Sequence, residues 1–163
     1  MIRIDEPGGK LIALVANYAI HGTVLSGKNQ LISGDAPGIV AAYVEDKLGA
    51  PMLFVNGAAG DIAPIYSVYP DFKSGHITEF NVLLGDRILA AARNIGGATS
   101  EAALWAGEKI VESPLKPDLA WPEDLNAYLR KPPAGPPLVR LPVRFLRIGA
   151  ETVAWAAPLE LFS

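Results

Sequence analysis

Apolar residues follow two different rhythms along this chain. Short unbroken runs, LIALVA at residues 11–16 and PMLFV at residues 51–55, have the length and composition of strands buried on both faces. Between them Ile39, Val40, Tyr43, Val44 and Leu48 recur at helical spacing, with Asp35 as N-cap, Pro37 in the first turn and Gly49 as the stop. A strand over residues 10–17, this helix, and a strand over 51–55 make a crossover unit. Its two strands are expected to be parallel neighbours joined in the right-handed sense.

Farther along, Phe80, Leu83, Leu84, Ile88, Ala91 and Ile95 fall on one face of a helix predicted over residues 78–95, ended by Gly96 and Gly97. Residues 101–112 alternate as a strand does. Residues 138–148 and 152–156 read as two more strands, a hairpin turning at 149–151. Eight of the fourteen prolines lie within residues 114–142, where only 123–130 leave room for a short helix. Residues 113–137 are therefore expected to form a proline-rich surface excursion. The class that follows is α/β: a mixed sheet with a parallel βαβ crossover, flanking helices and a C-terminal hairpin, as one partial domain over residues 1–163.

Composition narrows what such a fold can do. With 163 residues, half of them hydrophobic, the chain can bury one substantial core. A net charge of -3 and no basic cluster argue against nucleic acid as a partner. No apolar run approaches the ~20 residues of a membrane-spanning helix, and the opening MIRIDEPGGK lacks the apolar centre of a signal peptide. There is no cysteine, so disulfides and thiolate metal sites are excluded while the compartment is left open. The mean hydropathy of +0.26 is high for a chain without a membrane segment. Lost packing partners or an apolar oligomer interface would both account for it.

The candidate chemistry sits just beyond the strands. In open α/β sheets the carboxyl edge is where loops are free to bind while their roots stay rigid. His21 follows the first strand, NGAAGDIAP (residues 56–64) follows the second, and Glu160 follows the last. Each has a structural alternative. A lone histidine after a strand is commonly a hydrogen-bonded structural residue. Glu160 fits the start of a helix, and NGAAGD fits a tight turn that lacks the Lys-Ser/Thr ending of a phosphate loop. His76 reads as a surface or capping residue, and Tyr66 and Tyr69 as core-packed loop tyrosines or the lining of a groove.

NYAIHGTVLSGKNQLISGDAPG (residues 17–38), FVNGAAGDIAP (54–64) and the closing PLELF (158–162) together resemble the catalytic domain of the neutral/alkaline ceramidases, zinc amidases that cleave the N-acyl bond of ceramide. In that family an apolar strand leads to His-x-Thr-Ser-Met and Ile-Ser-x-Asp. A second strand leads to Asn-x-Gly-Asp-x-Ser-Pro, and a later one to Pro-Gly-Glu-Phe. The resemblance implies that His21 and Glu160 are zinc ligands, and that Gly60, Asp61 and Pro64 belong to the loop bearing the family's active-site serine. Three positions depart from the pattern: Ala63 stands at the serine, Val24 replaces the serine after Thr23, and Leu159 replaces the glycine before the glutamate. The family's upstream His-x-His segment and downstream tyrosine ligand have no counterpart here. The resemblance thus implies an interior piece of a longer catalytic domain or a truncated product, with an incomplete Zn2+ site and a packing partner in the missing parts. It also implies a secreted or periplasmic setting.

The implied chemistry is hydrolysis of a linear N-acyl amide of lipid-like character. Zinc keeps three or four nitrogen and oxygen ligands plus a water whose pKa falls to about 7. In that scheme Asp61, Gly60 and Asn56 are the catalytic candidates, with Asp61 orienting a ligand or a water. Gly57, Ala58, Ala59 and Ala63 form the substrate-facing wall, and backbone N–H groups of 57–60 are candidate oxyanion donors. The alternative from another class is a catalytically silent ceramidase-like piece acting as a binding or assembly module.

Overall fold

The computed structural model describes residues 1–27, 29–68, 74–150 and 152–156, the last five together with Tyr66, Val68, Ser74 and Gly75 by backbone alone. The chain divides into two compact units, one formed by residues 1–98 and another beginning at Thr99.

In the first unit β1 (Ile2–Asp5), β2 (Leu11–Tyr18) and β3 (Met52–Asn56) form a sheet in the order β1-β2-β3. Strands β2 and β3 are parallel, with Leu14 opposite Met52 and Tyr18 opposite Asn56, as the crossover pattern requires. Strand β1, which the apolar pattern did not announce, pairs antiparallel with β2. A tight turn in which Gly9, at φ 85°, donates to Glu6 O at 2.8 Å makes that return possible.

Helix α1 (Asp35–Leu48) fills the crossover and ends where Gly49, at φ 64°, donates to Glu45 O. Ala36, Val40 and Val44, spaced four apart, are fully buried. They meet Leu14, Ala16 and Met52 from one face of the sheet. The other face is open: Leu53 and Val55 are 55% and 46% exposed. Strands buried on both faces were expected from the unbroken apolar runs, but among the described residues the helices cover one side only.

The helix expected over residues 78–95 is divided. After a separate short helix α2 (Ile65–Val68), which lies before that range, it comprises the end of a 3-10 segment (Ser74–Glu79), a π turn (Asn81–Gly85) and α3 (Asp86–Arg93). The π turn has a physical consequence. Phe80, Leu84, Ile88 and Ala92 are buried at a strict spacing of four, longer than the 3.6 of an α-helix, and a wider turn keeps them in phase. Leu83, Ala91 and Ile95, assigned to the same face from the sequence, are exposed, and Leu89 is buried instead. Asn94 caps α3 through bonds to Ala90 O and Ala91 O, short of the glycines expected to stop it.

The second unit is an antiparallel sheet of β4 (Leu104–Pro114), β5 (Leu129–Arg130), β6 (Leu138–Ile148) and β7 (Thr152–Ala156). Strand β6 pairs with β4 along its whole length and shares its other edge between β5 and β7. The expected hairpin is present as β6 and β7, with Gly149 at φ 66° entering the turn. The proline-rich stretch is the connection between β4 and β6. It holds a 3-10 turn (Glu123–Tyr128) where a short helix was expected, then returns to the sheet as β5. Cross-strand charges line one face: Arg144 Nε lies 2.9 Å from Glu108, and Glu112 contacts both Arg140 and Arg130.

Candidate functional site

Because β2 and β3 are parallel, the loops that follow them leave the sheet at the same end, and the first unit joins them there. Gly57 N–H donates to Tyr18 O at 3.1 Å, and the Asn17 side-chain amide to Val55 O at 2.9 Å. The next two residues of the first loop are held by the second. Ile20 N–H donates to Asn56 Oδ1 at 3.0 Å, and His21 N–H to Ile62 O at 3.1 Å. The second loop is folded on itself by Ile62 N–H donating to Ala59 O at 3.0 Å. His21 is half-buried.

On its other flank the His21 loop is held by Asp35, the one charged residue among the buried side chains described. Asp35 Oδ1 accepts from Val24 N–H at 3.0 Å and from Ala36 N–H at 2.7 Å, while Oδ2 accepts from Leu25 N–H at 2.8 Å. Its own N–H donates to Ser33 Oγ at 3.0 Å. The backbone at Asp35 is left-handed, φ 50°, which costs an L-residue about 1–2 kcal/mol. Three backbone N–H donors converge on its side-chain oxygens and hold that backbone in place. Asp35 is not the N-cap read from the sequence: Gly34 holds that position without a side-chain cap, and Asp35 opens the helix with two of its three acceptor contacts reaching back into the loop after His21.

Val24 explains itself in the same geometry. It is fully buried and part of the core shared with α1, so the loop is anchored by an apolar side chain and by an acidic acceptor at adjacent atoms. A small, exposed residue would not serve there. Thr23 Oγ1 reaches Ser67 Oγ at 3.4 Å, and Ser67 Oγ donates to Pro64 O at 2.8 Å, a further stitch between the two loops. An open cleft of about 180 Å³ lies on this side, with Gly22, Thr23, Ser26, Asn29, Ser33 and Asp35 among its walls.

The residues singled out from the sequence are distributed as follows. Asn56 and Asp61 are exposed, Gly57, Ala58 and Gly60 half-buried, Ala59 buried and Ala63 exposed, all in the loop bonded to the His21 segment. Glu160 and Tyr69 lie outside the described residues, as does the side chain of Tyr66. His76 bonds through Nδ1 to Glu79 Oε1 in the 3-10 segment. Among the described residues no group of three or more histidine, aspartate and glutamate side chains gathers as a metal site. By themselves they do not fit a zinc ion, since His21 brings one imidazole to this rim. Among the described residues no helix is long and apolar enough to cross a membrane.

Sequence reasoning passed over Asp35, Ser33 and Ser67 as parts of this site. The signal for the first two was Ile32-Ser33-Gly34-Asp35, which matches the Ile-Ser-x-Asp segment of the resembled family, although Asp35 alone reads as a helix cap.

Two solved structures share this architecture. One, a ceramidase complexed with C2, superposes with a TM-score of 0.56 at 18% identity, over 89% of this chain and 33% of the other. The second, neutral ceramidase from Pseudomonas aeruginosa, gives 0.54 at 17% identity, over 89% of this chain and 32% of the other. The fold is therefore that of part of the neutral ceramidases, as the three motifs suggested, and the chain spans about a third of their length. No protein-family model matches the chain, and no curated protein sequence matches it significantly.

Proposed function

We propose that this chain is the core of a ceramidase-like hydrolase of a linear N-acyl amide, with a lipid-like acyl group on the substrate. The observation that carries the reading is the bond from His21 N–H to Ile62 O. It joins the two motif-bearing loops at the carboxyl end of a parallel strand pair, in a fold shared with ceramidases.

In this reading His21 and Glu160 would hold a metal ion together with donors beyond the residues described here. Zinc, when bound, would supply a Lewis acid and a water of pKa about 7. The chain's own part is positioning. The clamped His21 backbone fixes where the imidazole starts, and Asp61 orients a ligand or water from the facing loop. Gly57 N–H is engaged by Tyr18 O, so the oxyanion role passes to the amides of Ala58, Ala59 and Gly60. The overall reaction adds water across the acyl carbon and breaks the C–N bond, giving a carboxylic acid and an amine that takes up the proton. Ala63 lacks the hydroxyl of the family's serine, so no side-chain hydroxyl at this position takes part.

The test is metal analysis and fatty-acid release from N-acylsphingosine by the longest in-frame product of the gene. Near-stoichiometric zinc is expected, with release abolished by chelation and by His21→Ala. A product with no zinc and no release overturns the reading. A second reading, a silent binding or assembly module, is favoured by Ala63 and by the single imidazole at the rim. It requires that residues 1–163 fold without turnover, and turnover from that piece alone rejects it.

A further inference from the structure

We infer that the face of the second unit's sheet that carries Trp105 is a docking surface for an anionic lipid bilayer. The register of β4 on β6 separates the charges of this sheet. Glu108 lies opposite Arg144 and Glu112 opposite Arg140, so both acids of β4 and their arginine partners share one face. The alternate pairs belong to the other face: Trp105 with Arg147, Gly107 with Phe145, Lys109 with Val143 and Val111 with Leu141. That face holds two cations around an apolar middle, and among the described residues of β4, β5 and β6 it has no aspartate or glutamate to balance them.

The middle is flat. The Trp105 indole lies down across Gly107, where an added Cβ would come within 2.7 Å of Cη2 and 2.9 Å of Cζ2. From the neighbouring strand the Arg147 guanidinium stands 5.9 Å from the ring centroid. Trp105 is nonetheless 52% exposed and Val111 42%, with Phe145 and Val143 half-buried beside them.

Charge decides the occupant. A dry apolar layer laid over this face would take Lys109 and Arg147 out of water with no carboxylate of their own face to pair them, which is costly. A wet, anionic headgroup layer imposes no such cost. An indole with one apolar body and one polar tip, beside cations on long apolar stems, is the composition suited to the boundary between acyl chains and phosphates. Docking of this kind needs neither hydrolysis nor a metal, so vesicle binding and turnover are decided separately.

The experiment is co-sedimentation of the full gene product with vesicles of phosphatidylcholine alone and of phosphatidylcholine mixed with phosphatidylglycerol. The protein should partition about tenfold or more in favour of the mixed vesicles, and less as salt is raised. Lys109→Glu with Arg147→Glu should lower that partition by about tenfold or more, since each surface cation contributes roughly a fivefold factor. Arg140→Glu with Arg144→Glu makes the same charge change on the opposite face and should alter it by about threefold at most. If a glutamate pair does not fold, the corresponding glutamine pairs make the same comparison. Lipids with brominated acyl chains should quench tryptophan fluorescence in the wild type, and Trp105→Phe should lose part of that quenching. No partition onto the mixed vesicles, equal losses from the two faces, or quenching unaltered by Trp105→Phe each overturns the inference.

Discussion

The side-chain oxygen of Asn56 accepts the backbone N–H of Ile20 at 3.0 Å, tying the end of one parallel strand to the loop that follows the other. Ile20 is 5% exposed, so this N–H would be poorly served by water if the oxygen were removed. Asn56→Ala is expected to lower stability by about 1–3 kcal/mol, the cost of an unsatisfied buried donor. Asn56→Asp, which retains an acceptor, should lose less. Urea denaturation with both variants measures the difference, and equal losses would show that the oxygen is not what matters.

Val24 makes a second prediction, at a position where the resembled motif has serine. Because Val24 is fully buried, Val24→Ser removes apolar contacts and buries a hydroxyl. A loss of about 2–4 kcal/mol is expected. Thermal unfolding of the variant checks it, and an unchanged midpoint would mean the loop swings out to accommodate the serine.

Gly85 lies under the Tyr43 ring, where an added Cβ would come within 2.6 Å of Cδ1. The ring has little freedom to move, since its hydroxyl donates to Asp86 Oδ1 at 2.8 Å. Overpacking of this kind costs about 1–3 kcal/mol, against a helix-propensity gain of about 1 kcal/mol for Gly to Ala. Gly85→Ala should therefore destabilise the wild type but stabilise a Tyr43→Ala background. A double-mutant cycle in denaturant reads the sign directly.

Glu112 contributes to the acid sensitivity of the second unit. Hydrogen bonds from Arg130, at 3.0 and 2.7 Å, and the nearby charges of Arg130 and Arg140 hold its carboxyl below the usual glutamate range. A carboxylate whose folded pKa is depressed contributes stability above its unfolded pKa of ~4.3 and loses it as pH falls through the folded value. Glu112→Gln should thus flatten the acid limb of the stability curve below about pH 4 while changing its slope little near neutrality. Parallel acid limbs in variant and wild type would remove Glu112 from the account.

Tyr43 shifts in the opposite direction by related physics. Its hydroxyl donates to Asp86, and loss of the proton would leave two negative charges facing each other, so its pKa is raised.

What the sequence determined by itself was local and periodic. LIALVA, the Ile39 to Leu48 spacing and PMLFV specify strand, helix and strand, and such a unit admits one arrangement in which the two loops leave at a common edge. The three short motifs added the likeness to ceramidases. Tertiary structure decided what depends on contacts between distant residues. No spacing rule reports that Val24 enters the core, that the Asp35 carboxylate turns back to the loop after His21, or that a π turn at Asn81–Gly85 carries the buried face onto Leu89 and Ala92. Hydrophobic period records which face of an element is buried. Which backbone N–H a buried oxygen will satisfy is settled only when the segments meet.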